Sequence, residues 1–161
     1  MKKVLTMLME TNKRFKQADH LTYVTYPVLK DIHLLNPIMN SLLKSLVGGM
    51  NTILAYDELY KRIPPQPENF NSRLETFRTK CAPRYSIDDN SLLLIKAIKE
   101  IAEHRMASPI EFKRRDQLVI CSDNYRIKTI SYEKVKEYVN KTKAFIIKVN
   151  GIIKRAEGYG G

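Results

Sequence analysis

The chain has 161 residues, 43% hydrophobic and 28% charged, a composition that suits one globular domain with a core and excludes a disordered chain. No apolar run reaches the roughly 20 residues of a membrane-spanning helix. Lys and polar residues interrupt the longest runs, around Leu42–Val47 and Leu92–Ile95. The net charge of +11 is unevenly placed: residues 1–16 hold five Lys/Arg against one Glu, 17–112 hold eleven of each sign, and 113–155 hold twelve Lys/Arg against four acids. The basicity belongs to the two ends of the chain, and first and last helices packed side by side would present one positive face.

The start, Met1–Met9, lacks the long apolar stretch and cleavage site of a signal peptide. It reads as the first turns of an amphipathic helix, and the protein is expected in the cytoplasm. Val4, Leu8, Phe15, Ala18 and Leu21 follow a helical period to about residue 24. Tyr26-Pro27 is expected to end or kink that helix, because proline disfavours the α region in the residue before it. Val28 to Leu35 reads as a short helical link, and Asn36-Pro37 as an N-cap followed by proline at the first helical position.

From Pro37 to about Arg62 a wide apolar stripe (Ile38, Leu42, Leu46, Met50, Ile53 and their neighbours) predicts a helix near the centre of the bundle. Gly48-Gly49 in its middle costs about 1 kcal/mol per glycine. Two readings are open there: close approach of another helix, from this chain or a second copy, or a local kink. Ile63-Pro64-Pro65-Gln66-Pro67 stops the helix. A short helix is expected over 72–80 and a connection at Ala82-Pro83-Arg84-Tyr85. Asp88 or Ser86 then caps a helix through Leu92, Ile95, Ile98 and Ala102 that ends at Ser108-Pro109.

The period then changes. Gln117–Cys121 and Arg126–Ile130 are two β-rich runs around Ser122-Asp123-Asn124-Tyr125, which predicts a hairpin that must pack on the helices. Ser131 begins the last helix. Val135, Tyr138, Thr142, Phe145, Val149 and Ile152 recur in steps of three and four as a three-heptad seam ending near Arg155. The expected fold is mainly α: an antiparallel bundle of four long helices plus a short helix, with one β-hairpin before the C-terminal helix. Residues 1–157 form the single domain, 158–161 a loose tail, and no internal repeat is present. The glycine step and the seam offer apolar surface beyond one core, so a homodimer is expected.

Most chemistries find no support. Neither a GxxxxGK[ST] loop nor a GxGxxG turn occurs, and the three histidines (His20, His33, His104) form no HxxxH or HExxH pair. Cys81 and Cys121 lie 40 positions apart without a CxxC, so plain thiols are expected, with no metal and no cofactor. Asp88-Asp89 sit where a helix start favours acids.

Arg14 and His20 form an Rx5H spacing. Such a pair can cleave RNA without metal, histidine moving the proton and arginine stabilising the phosphorane. Six positions turn a helix by about 600°, leaving the two side chains roughly 120° apart, and two solvated residues on a basic face explain them equally. His104-Arg105 is a rival pair, explained as well by the helix C-terminus, and His33 lies beside Asp31. Lys113, Arg114 and Arg115 precede the hairpin, Arg126 lies at its turn and Lys128 follows. These five are candidate nucleic-acid contacts, or a charged strand edge that resists aggregation.

Ala18–Pro27, and Ser108–Arg114 with Val119–Ser122, resemble a small archaeal helical-bundle family without an assigned activity, itself distantly similar to the HEPN bundles. That similarity implies a helical bundle that dimerises, in a group that includes RNA-cleaving toxins and partners of minimal nucleotidyltransferases. Its Rx4–6H motif is matched here by Arg14 and His20, earlier in the bundle than is usual for the ribonucleases. The implied role is a non-catalytic binding or assembly module contacting RNA or an acidic partner. A metal-independent ribonuclease using Arg14 and His20 is the alternative, and a purely structural interaction subunit the second.

Overall fold

The computed structural model describes residues 1–106, 110–121 and 127–159. In chain order the helices are α1 (Lys2–His20), α2 (Tyr26–Leu29), α3 (Leu35–Leu59), α4 (Phe70–Thr76), α5 (Ala82–Tyr85), α6 (Asp89–Met106) and α7 (Tyr132–Lys154), with strands β1 (Ile110–Arg114), β2 (Gln117–Cys121) and β3 (Ile127–Ser131) between the last two. Four helices are long, and the bundle with a sheet before the final helix is the architecture the periodicity predicts. Among the described residues, no helix is long and apolar enough to cross a membrane.

The wide stripe of α3 does place it at the centre. Leu35, Ile38, Leu42, Leu46, Met50 and Ile53 are fully buried, and α1, α6 and α7 all pack on it. The glycine pair marks close approach, and α3 runs through it as one helix. A Cβ on Gly48 would stand 2.6 Å from Thr11 Oγ1 of α1, and one on Gly49 would stand 2.8 Å from Phe145 Cε2 of α7. Each glycine thus admits a different helix. The seam on α7 faces inward too, with Val135, Thr142, Phe145, Val149 and Ile152 all buried. Both features that suggested a second copy are used within one chain.

The helical path does not end at Pro27. Residues Leu21–Thr25 form a π turn, in which each N–H reaches back five residues, and the chain continues helically through Tyr26-Pro27 to Leu29. Tyr26 N–H bonds the Leu21 carbonyl. The next bond of that pattern would need a proline N–H, which does not exist. The Thr22 carbonyl so freed accepts the Tyr132 hydroxyl at 2.5 Å, and the Tyr132 ring stacks on Tyr26 with centroids 4.0 Å apart. The device recurs at Phe77–Cys81 and Ala82-Pro83, although the two segments share little sequence beyond the proline. Each ends on a residue in the left-handed region, Lys30 (φ 51°) and Ser86 (φ 56°).

Two further expectations are corrected. Asn36 is not an N-cap: Asp31 caps a 3-10 turn at Ile32–Leu34, accepting from His33 N–H at 3.0 Å, and α3 follows directly. The hairpin is the second half of a three-stranded antiparallel meander, β1-β2-β3, whose register pairs Glu111 with Ile120 and Leu118 with Ile130. Its first strand is the segment read as a basic run, and it joins β2 through Arg115-Asp116, with Arg115 at φ 56°. The turn Ser122–Tyr125 and the helix stop at Ser108-Pro109 lie outside the described residues. Of the expected tail, Gly158 and Tyr159 close a final π turn.

The two glycines should respond differently to substitution. Alanine gains about 1 kcal/mol of helix propensity at either site. At Gly49 the buried Phe145 ring blocks it, and Gly49→Ala should lower stability in urea melts by about 1–3 kcal/mol. At Gly48 the clash is with one atom, Oγ1 of buried Thr11, where Gly49 meets both a ring and Val149, so Gly48→Ala should cost less.

Candidate functional site

Arg14 and His20 do not share a site within the chain. Arg14 pairs with Glu10 at 2.9 Å, bonds Gln17 at 3.5 Å, and lines a cleft with Thr11, Leu43, Lys44 and Gly48. His20 is exposed, stands 3.5 Å from Thr25 Oγ1, and lines a separate depression with Asn12, Lys13 and Lys16. The two clefts have no lining residue in common, as an angular separation near 120° requires.

The basic sheet residues are scattered. Lys113, Arg114 and Arg115 are exposed on β1, an edge strand, and its turn, while Lys128 on β3 pairs with Glu100 at 3.0 Å. Arg126 lies outside the described residues. What β1 does bring together is a polar junction. Glu111, half-buried, accepts from Asn36 Nδ2, stands 3.4 Å from His33 Nδ1 and 3.5 Å from Arg105 Nε, while His104 Nε2 donates to the Ile120 carbonyl at 3.3 Å. His33, Asn36 and Arg105 therefore meet around one carboxylate that clamps β1 onto α3 and α6, while His104 holds β2. Among the described residues, no three His, Cys, Asp or Glu side chains form a metal-binding group.

A second carboxylate organises the opposite end of α3. Asp57 is fully buried, an expensive place for a charge unless it is paired and hydrogen-bonded. It takes Arg84 NH1 at 2.8 Å on one oxygen, and on the other Arg62 NH1 at 3.3 Å and the Tyr85 hydroxyl. The Arg62 guanidinium lies over the Tyr56 and Tyr60 rings, 5.1 and 5.3 Å from their centroids. Burial, then Asp57, pushes both the Cys81 thiol and the Tyr85 hydroxyl upward in pKa. The carboxylate is sealed, yet Arg62 and Arg84 stay 37% and 36% exposed, so their outer faces open on solvent.

What they open into is a cleft of about 570 Å³, lined also by Tyr85, Lys148 and Arg155. Lys148 and Arg155 continue a row along α7: Lys134, Lys141, Lys148 and Arg155 recur every seven residues, about 10.5 Å apart on one flank. The first three line a groove between α6 and α7 of about 660 Å³, with Leu94, Tyr138 and Phe145 in its wall. Glu137 pairs with both Lys134 and Lys141, at 3.2 and 3.0 Å. Among the described residues, Lys148 and Arg155 have no such counter-ion. The opposite flank of α7 meets α1 through a reciprocal amide pair, Asn12 with Asn150, at 2.9 and 2.8 Å. First and last helices are therefore neighbours, but the cationic row faces away from α1.

No family model, curated protein or solved structure matches the chain. The row and the Asp57 hub were not among the residues singled out from sequence. The seven-residue spacing is visible there, and so is the acid pair Asp57-Glu58 near the end of the apolar stripe of α3. The convergence of Arg62, Arg84 and Tyr85 on Asp57 is tertiary.

Two measurements check the hub. Asp57→Asn removes the counter-charge of two arginines that can still hydrate, so its cost should be about 2–3 kcal/mol, below the 3–5 of a wholly buried pair. Raised thiol and phenol values mean that the unfolded chain ionises first. Stability should be full below about pH 8.5 and fall as pH rises through the ordinary Cys and Tyr ranges. Melting temperatures between pH 8 and 11 should show a shallower decline in Tyr85→Phe and in Cys81→Ala.

Proposed function

We propose that the protein is a non-catalytic RNA-binding module of HEPN-like type, the strand's phosphates lying along the cationic flank of α7. The observation that carries this reading is the row Lys134, Lys141, Lys148 and Arg155 running into the cleft where Arg62 and Arg84 are held. Arginine forks fixed by a buried carboxylate present planar N–H donors of the kind that bind phosphate. Tyr85 and Tyr138 line these clefts beside the cations, aromatic rings of the kind on which an unpaired base can stack. RNA, rather than DNA, follows from the family resemblance. The separation of Arg14 from His20 is why the reading is non-catalytic.

Fluorescence anisotropy with a labelled single-stranded RNA 20-mer tests it, in salt from 50 to 300 mM. Log affinity should fall linearly with log salt, with a slope of about −3 if the four cations each neutralise one phosphate. Lys141→Glu with Lys148→Glu should flatten that slope and weaken binding at least tenfold. Absence of binding at 50 mM salt refutes the reading. So does retention of full affinity in the double variant, with loss in Lys113→Glu/Arg114→Glu pointing to the sheet edge instead. Tighter binding of an acidic peptide than of RNA would favour the acidic-partner reading.

A further inference from the structure

The row and the cleft at its end differ in the anion they suit. Along the row the cations stand about 10.5 Å apart, and Glu137 offsets Lys134 and Lys141, so each position offers at most one charge to a passing anion. At the end, four cations converge: Arg62 and Arg84 from the α3–α5 corner, Lys148 and Arg155 from α7. Among the described residues Asp57 is the one acid bonded there, and it engages a single nitrogen, NH1, of each arginine. Arg62 NH1 also donates to the Tyr85 hydroxyl at 3.2 Å, and both guanidinium groups stay about a third exposed, which leaves donors for a ligand. Tyr56 and Tyr60 under Arg62, and Asp57 behind both arginines, fix the forks before anything binds. Preorganised donors around a surplus of positive charge favour a compact dianion over a monoanionic diester.

We infer that this cleft is a receptor for a terminal phosphomonoester, the doubly charged end of a nucleic-acid strand whose backbone lies along α7. Its volume of about 570 Å³ admits an end nucleotide as well as its phosphate, with Tyr85 in the wall. The inference rests on the RNA reading for the strand, but the phosphate site itself does not. The end in question is the 5′ or the 3′ one, and both carry the same chemistry.

The test compares one 20-mer RNA in three forms, with a 5′-phosphate, with a 3′-phosphate and with hydroxyls at both ends, at 100 mM salt. One phosphorylated form should bind at least tenfold more tightly than the hydroxyl form, which assigns the end, and inorganic phosphate in millimolar excess should erase that advantage. Lys148→Gln and Arg155→Gln, neither of which holds a buried partner, should abolish the advantage. Lys134→Gln and Lys141→Gln should weaken all three forms alike and keep it. Equal binding of the three forms overturns the receptor while leaving the backbone reading in place. If no RNA binds, calorimetry with AMP separates the two: AMP binding that is lost in Lys148→Gln sustains the phosphate site and removes the strand, and no AMP binding removes both.

Discussion

The distance between helices at the middle of α3 governs the rest of the structure. Gly48 and Gly49 are adjacent in sequence, so they point about 100° apart around the helix, and Gly48 admits the α1 backbone while Gly49 admits a side-chain ring. Thr11 of α1 comes in on one side and Phe145 of α7 on the other. With α1 and α7 both drawn onto α3, they also meet each other, and the Asn12–Asn150 amide pair becomes possible. The remaining face of α3 is left to α6. A bundle centred this way leaves α6 and α7 flanking a groove, with Phe145 reaching from the glycine contact to the groove wall. The same constraint that builds the core therefore shapes the cationic groove.

Much of this architecture is legible in the sequence, because burial of an apolar stripe leaves a periodic trace. The central position of α3, the Asp88 and Ser131 caps and the inward seam of α7 all follow from such traces. What is not legible has physical reasons. β1 is hidden because its turn, Arg115-Asp116, lacks the glycine or asparagine that usually supports a left-handed residue, and because Glu111, besides pairing with nearby Arg105, is held by side chains 75 and 78 positions away. The two prolines read as breaks because an α-helix cannot accommodate the missing N–H. A π turn moves the gap by one residue, and for the first of them a tyrosine from α7 fills it. Such rescue depends on a partner more than a hundred positions off, which local propensity does not encode.

The candidate site divides along the same line. The seven-residue spacing of Lys134, Lys141, Lys148 and Arg155 is a property of one helix and stands in the sequence. The pairing of Arg62 and Arg84 with Asp57 requires α5 to be laid against the end of α3. That placement depends on the turn after Cys81, where the second π-turn–proline device sets the direction of Arg84 and Tyr85. The conspicuous pair Arg14 and His20 has the reverse character: a suggestive spacing on one helix whose members the fold turns toward different clefts.

The two flanks of α7 divide their polar contacts differently. Toward α1 the helix uses neutral groups, the Asn150 amide and the Asn140 oxygen that accepts from Tyr23, which specify alignment without placing a charge in the contact. Toward α6 it carries the row of Lys134, Lys141 and Lys148, the first two sharing Glu137, while Lys136 and Lys143 stand in line with Asn150 on the other side. Like charges on one flank repel, so this arrangement adds nothing to folding at low salt. An anion that binds the folded chain and not the unfolded one converts that repulsion into stabilisation by mass action. The corner cleft carries this furthest, since Asp57 offsets enough charge to let Arg62 and Arg84 stand together and too little to neutralise them beside Lys148 and Arg155.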